Sequence, residues 1–155
     1  MATRPTEAQA ALGWRIFNWI GIIDQLAQNR ATRALDELKL PFPQFVMLNH
    51  FSHRPNEAKT VTGVASALQQ PQPGVTKTIQ KMVARKLLKA DPAPGDGRSK
   101  LIMITPKGLE THARAVAAFV PQFAEVFSGW DDAEMETLMR QLDRLKVWMD
   151  TKGRE

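Results

Sequence analysis

The chain has 155 residues, enough for one domain of ordinary size with a small appended part. Its 43% apolar content can fill a core, and its 21 Lys and Arg against 16 Asp and Glu leave a net charge of +5 with a sequence pI near 9.8. There is no cysteine, which excludes disulfides, thiolate metal sites, cysteine nucleophiles and thiol-based redox sensing.

Residues 7–38 contain no proline and show helical spacing. Ile16, Ile20, Ile23 and Ala27 fall on one face, while Leu12, Trp19 and Leu26 make a second apolar stripe. Two stripes on one long helix imply more surface to bury than one small domain offers. Leu40-Pro41-Phe42-Pro43 stops the helix, because each proline disfavours helix in the residue before it. Pro43 then suits the first turn of a short second helix carrying Phe45, Val46, Leu48 and Phe51, which ends near residues 54–56.

Thr60 is the expected N-cap of a third helix over 61–69, with Val64, Ala65 and Leu68 pointing inward. Gln70-Pro71-Gln72-Pro73-Gly74 breaks the chain for only a few residues. A fourth helix is expected from Pro73 or Gly74, with Val75, Ile79, Met82 and Val83 as its apolar face. A helix, a tight turn and a second helix form the arrangement in which the second can project into a groove.

After Arg85-Lys86 the period shifts from about 3.6 to 2. Residues 87–91 and 101–105 read as two short strands, joined by a turn-rich loop over 92–100 that ends in cations. Thr105-Pro106 starts a fifth helix through Leu109, Ala113, Val116, Ala117 and Val120. Pro121 lies inside this pattern and predicts a kink or a break. A last helix is capped by Asp131 or Asp132. Its Met135, Leu138, Leu142, Leu145 and Met149 are spaced 3, 4, 3, 4, a seam that wants a partner helix. Residues 152–155 are expected to fray.

Charge is placed unevenly. Residues 54–107 hold ten Lys and Arg against three acids, a net of +7, and the remainder of the chain is at −2. Such a segment is what faces phosphates; charge alone fits a solvated lysine-rich face equally well. No uncharged apolar run approaches the roughly 18–20 residues needed to span a bilayer. Glu7 and the lack of a following apolar stretch argue against a signal peptide. A cytoplasmic protein with no membrane attachment is the expectation.

A helix–turn–helix followed by a basic-tipped hairpin is a winged helix-turn-helix, and the sequence resembles the MarR family of transcriptional regulators. The resemblance rests on Leu40-x-x-x-Gln44-Phe45-x-x-Leu48, Ala65-x-x-Leu68, Val75-Thr76-Lys77, Asp96-Gly97-Arg98 and Ile104-Thr105-Pro106-Lys107-Gly108, and spans about residues 40–110. Three departures stand out. Lys86 occupies a place where the family usually has glycine, Gly63 stands where an acidic residue would complete a capping box, and Pro71-Gln72-Pro73-Gly74 replaces a Ser/Thr-rich helix start.

The resemblance implies a mainly α fold with a small β-hairpin wing, a winged helix-turn-helix over 40–108 flanked by dimerisation helices at 1–39 and 109–155. It implies a homodimer that binds a pseudo-palindromic stretch of double-stranded DNA, acts as a repressor, and answers to a small aromatic effector. Without cysteine, the signal would be a non-covalent ligand.

Charge and reach assign the DNA-binding candidates. Lys77 and Lys81, spaced i, i+4, share an exposed face. Gln72 and Thr76 near the start of the same helix can pair with bases or phosphate, with Gly74 beside them. By resemblance Arg98 at the wing tip enters the minor groove. Lys100 can add a phosphate contact, and Asp96 shapes the wing. Trp14, Phe17, Phe42, Phe45 and His50 are candidates for an effector pocket, with ordinary core and dimer packing as the alternative.

Other chemistry finds little support. His50-x-x-His53 lacks a third and fourth ligand nearby, so no metal is expected. Asp131, Asp132, Glu134 and Glu136 suit helix capping better than acid–base work. No phosphate loop, nucleophile elbow or triad is present, so neither an enzyme nor a cofactor is expected. The alternative function is a dimeric winged-helix adaptor that binds a protein rather than specific DNA.

Overall fold

The computed structural model describes residues 4–152; the end expected to fray lies, from residue 153 on, outside them. One compact unit runs to Phe119 and a second begins at Val120. The order is α1 (Glu7–Leu35), a 3-10 turn (Asp36–Leu38), α2 (Phe42–Ser52), β1 (Lys59–Thr60), α3 (Val61–Leu68), α4 (Gln72–Ala84), β2 (Leu88–Ala93), β3 (Asp96–Ile104), α5 (Pro106–Val126) and α6 (Asp132–Thr151). No helix among the described residues is long and apolar enough to cross a membrane.

The start of α1 is closed by a capping box: the Gln9 N–H donates to Thr6 Oγ1 and the Thr6 N–H to Gln9 Oε1. Regular α-helix stops at Leu35, three residues earlier than the apolar spacing predicts. Asp36 and Glu37 would sit against the negative end of the helix dipole there. The chain tightens instead into the 3-10 turn and passes through left-handed Lys39 (φ 48°). Only Ala31 and Leu35 of α1 are buried.

Pro43 occupies the first turn of α2, as its sequence position suggests, and Gln44, Met47, Leu48 and Phe51 form the buried face. Thr60 caps α3 by accepting the Gly63 N–H at 3.1 Å. Left-handed Gln69 (φ 50°) ends that helix, and α4 then begins at Gln72, ahead of the expected Pro73 or Gly74. Val75, Ile79 and Met82 bury one face of α4 against a core that includes Leu35, Leu48, Phe51, Val64, Leu88 and Ile102.

The wing differs from the expected hairpin in two ways. Its strands run much further, with Ala93 paired to Asp96, so the connection is Pro94-Gly95 rather than nine residues. The outer half of β3 is polar on a solvated ribbon, which reads as loop in a sequence. A third strand, β1, pairs with β3 through Lys59↔Ile102 and Thr60↔Leu101, giving the antiparallel order β1-β3-β2. Two residues are too few to show a period.

Helix α5 starts as expected, with Thr105 Oγ1 accepting the Gly108 N–H at 3.0 Å. Its helical span runs unbroken through Pro121 to Val126, so the break allowed for at that proline does not occur. Proline removes one backbone bond, and the turns on either side continue. In the second unit Asp131 caps α6 in a box with Glu134, which accounts for these two acids as capping residues, and Asp132 lies in the first turn beside them. Among the described residues of α6 none is buried.

Lys86 (φ 61°) links α4 to β2 in a left-handed conformation that suits glycine. Replacing Lys86 with Gly should raise the unfolding free energy by about 1 kcal/mol in urea titration. Gly108 packs against the Leu87 carbonyl and the Ile104 side chain, so a Cβ there meets backbone. Gly108→Ala should lower stability by about 2 kcal/mol or more in the same assay.

Candidate nucleic-acid interface

The side of α4 away from the core divides into two rows, because residues four apart stack along one helical face. Gln72, Thr76 and Gln80 line an open trough of about 450 Å³ between α4 and the wing. Arg98, Ser99 and Lys100 of β3 form the opposite wall, with Thr60 and Thr62 at the start of α3 also lining it. Ile79, Val83 and Ile102 add apolar surface. Lys77 and Lys81 stand on the adjoining exposed face with Gly74. Of the seven residues proposed from sequence, four therefore meet in the trough and three lie beside it. Gln80, Thr62 and Ser99 escaped the sequence reading. The spacing of Gln80 from Gln72 and Thr76, i+8 and i+4, was the available signal.

Hydrogen bonding limits what these groups can offer. The Thr76 hydroxyl donates to the Gln72 carbonyl at 2.9 Å, and that of Thr78 to the Gly74 carbonyl at 3.1 Å. Both threonines then present a methyl and an oxygen lone pair, not a free donor. Pro71 and Pro73 carry no N–H, and those of Gly74 and Val75 bond to the Pro71 carbonyl. The Gln72 N–H is the remaining backbone donor of that first turn, so the helix start is a poor anion cradle.

At the wing, Asp96 accepts the Arg98 N–H at 3.0 Å and the Ser99 hydroxyl at 2.9 Å. These bonds, the Arg98 N–H foremost, hold its carboxyl below the ordinary value. Arg98 thus sits on β3 just beyond the Pro94-Gly95 turn, its main chain tied to the residue expected to shape the wing.

Residues 38–99, which contain this trough's α3, α4 and most of the wing, match the model of the MarR family. The winged-helix segment is of the MarR family. Three solved structures share its fold. Apo MarR from E. coli is 18% identical with a TM-score of 0.73, covering 83% of this chain and 93% of that one. The MepR–DNA complex from S. aureus is 19% identical at 0.71, covering 84% and 95%. The transcriptional regulator BldR from Sulfolobus solfataricus is 21% identical at 0.74, covering 92% and 99%. No curated protein matches by sequence.

The aromatic residues proposed for a pocket are only partly brought together. Phe42 and Phe45 lie 6.2 Å apart, and Phe45 stacks on His112 at 5.8 Å and meets the edge of Phe119 at 4.7 Å. Trp14 is 73% exposed on α1, and Phe17 is exposed there too; among the described ring contacts neither reaches Phe42 or Phe45. His50 points elsewhere, its Nε2 3.2 Å from Lys59 Nζ and its ring 5.6 Å from that of Phe51. Among the described residues no three potential metal ligands gather in one place.

His112 Nε2 lies 3.0 Å from Asn49 Oδ1, to which it donates, and 3.4 Å from Ser52 Oγ. Burial lowers the proton affinity of both His50 and His112; Lys59 and then His53 add to it at His50, against Glu57, and His53 adds to it at His112. Each imidazole therefore binds its proton less readily folded than unfolded. The unfolded chain takes up the extra protons as pH falls below about 6.5, so stability declines there and levels off below the folded values. The urea midpoint should fall between pH 7.5 and 5.5, and fall less in a His50→Gln/His112→Gln double variant. An equal fall in both proteins would remove these histidines as the cause.

Proposed function

We propose that the chain is a DNA-binding transcription regulator of the MarR type, a cytoplasmic repressor that acts as a homodimer. The observation that carries the DNA reading is the convergence of Gln72, Thr76, Arg98 and Lys100 on one open trough beside the Lys77–Lys81 face. None of Lys77, Lys81, Arg98 and Lys100 takes part in an ion pair among the described residues. Their charge is available to phosphate, and binding would release counterions from the duplex. A helix such as α4 fits the major groove, and the adjacent ribbon can reach the minor groove. The DNA held by MepR in its complex, on a similar fold, supports this reading.

In this arrangement Lys77, Lys81 and Lys100 contact phosphate, while Gln72 and Thr76 approach base edges. Arg98 enters the minor groove, and Asp96 keeps the wing in shape. Gly74, with open space where a side chain would stand, lets α4 come close to the duplex.

Dimerisation is supported by apolar surface in each unit. α1 exposes Leu12, Trp14, Ile16, Phe17 and Trp19, and α6 exposes Met135, Met139, Leu142 and Trp148. A second copy covering residues 1–39 and 109–155 would remove that surface from water. Two copies would set two α4 helices about one helical turn of DNA apart, which suits a pseudo-palindromic site. A small aromatic effector would enter beside Phe42 and Phe45, with Trp14 and Phe17 contributed by the assembled pocket and His50, turned to Lys59, outside it. Neither a cofactor nor a catalytic residue has a part in this proposal.

Selection of bound sequences from random duplex DNA tests the reading, and should return a two-fold symmetric site. Affinity for it should fall steeply with salt. Lys77→Ala and Arg98→Ala should each weaken binding about tenfold, and each should lower the salt slope by about one. Recovery of no preferred sequence and a monomer by sizing would overturn the reading and favour a protein-binding adaptor.

A further inference from the structure

Gln44 is the only buried polar side chain among the described residues, at 7% exposure. It lies on α2, and its Oε1 accepts Arg85 Nη1 at 2.6 Å, from a residue 41 positions away. Arg85 is the C-cap of α4. An amide buried without a partner is costly, whereas methionine at this place would bury similar volume with no such demand. What the amide adds is direction. Apolar packing of Val75, Ile79 and Met82 holds α4 against the core but is indifferent to small rotations. A short hydrogen bond to a guanidinium is not.

A second anchor reaches the same residue from the other side. Lys107 Nζ, on α5, donates to the Arg85 carbonyl at 3.0 Å, and Thr105 Oγ1 donates to the Lys86 carbonyl at 2.7 Å. The side chain of Arg85 is thus held from α2 and its main chain from α5. Rotation of α4 about its own axis would stretch both bonds. It would also swing Thr76 and Lys77 relative to Arg98 across the trough.

We propose that Gln44 is a positioning residue: by holding Arg85 it sets the rotation at which α4 faces a duplex. This inference rests on the DNA reading above. It also takes Arg85 out of the set of phosphate contacts, although Arg85 is one of the cations in the basic segment.

The test uses the full chain and the duplex that the wild type selects from random DNA. Gln44→Met should melt no lower than wild type, yet bind that duplex about tenfold more weakly, the size of one charge-assisted hydrogen bond. Its affinity for unselected duplex should be unchanged. Gln44→Glu, which restores an acceptor for the guanidinium, should recover the selected-duplex affinity. Arg85→Met should match Gln44→Met, the double variant should lose no more than either single one, and the salt slope should stay at the wild-type value.

Wild-type affinity in Gln44→Met would overturn the proposal. So would a loss in Gln44→Met that tracks a lowered melting temperature, or a salt slope reduced by about one in Arg85→Met. If the wild type selects no sequence at all, the DNA reading fails first and this inference falls with it. If the wild type selects a site and Gln44→Met binds it equally well, only this inference fails.

Discussion

The backbone of Leu87 is where the working parts of the winged unit are joined. Its N–H closes the end of α4 by donating to the Met82 carbonyl at 2.9 Å. Its carbonyl accepts the Thr105 N–H at 3.1 Å and lies 3.1 Å from the Thr105 hydroxyl oxygen, whose proton goes to the Lys86 carbonyl at 2.7 Å. Its side chain is 1% exposed. One residue thus ends α4, leads into the first wing strand and receives the start of α5. Glycine at 108 follows from this crowding, since the first turn of α5 lies directly against that carbonyl. The distance between α4 and the wing, and with it the width of the trough, is set by how tightly these three chain segments meet.

Around that junction the chain divides its labour between burial and exposure. The core is a modest set of aliphatic side chains with Phe51, Phe119 and two methionines, and it leaves the cations of α4 and β3 in water. Fixed cations close together repel one another, which costs stability but supplies a field toward a polyanion. The same compromise appears at helix ends, where Lys39, Gln69 and Lys86 adopt left-handed backbone that long side chains disfavour. The first two follow the 3-10 turn and α3, and the third links α4 to the wing, so each strained residue turns the chain between elements of the unit that carries the trough.

Local rules made most of this fold legible. The caps at Thr60, Thr105 and Asp131 and the paired prolines were readable because each acts over three or four residues. The apolar rows of α4 were readable because one face is buried. The wing was read too short: Asp96, Arg98 and Lys100 are polar on a ribbon that water reaches, and no alternation marks them as strand. β1 was invisible because its pairing partner lies some forty residues on and it has only two residues. At the candidate site, Lys77, Arg98 and Gln72 could be proposed from type and position. The trough that gathers Gln72 with Arg98 could not, because its walls come from different segments. The Gln44–Arg85 bond is the clearest case, since a buried amide and a cation 41 residues apart share no local pattern.

The two prolines at the start of α4 have a kinetic consequence. A ring at Pro71 and another at Pro73 hold two φ angles near their helical or extended values before anything binds. The first turn of α4 has correspondingly little backbone freedom left to lose on docking to a partner. Association of a helix built this way is governed by encounter and electrostatic steering, with no ordering step to wait for. The heat capacity of binding would then report the surface covered and carry no contribution from coupled folding.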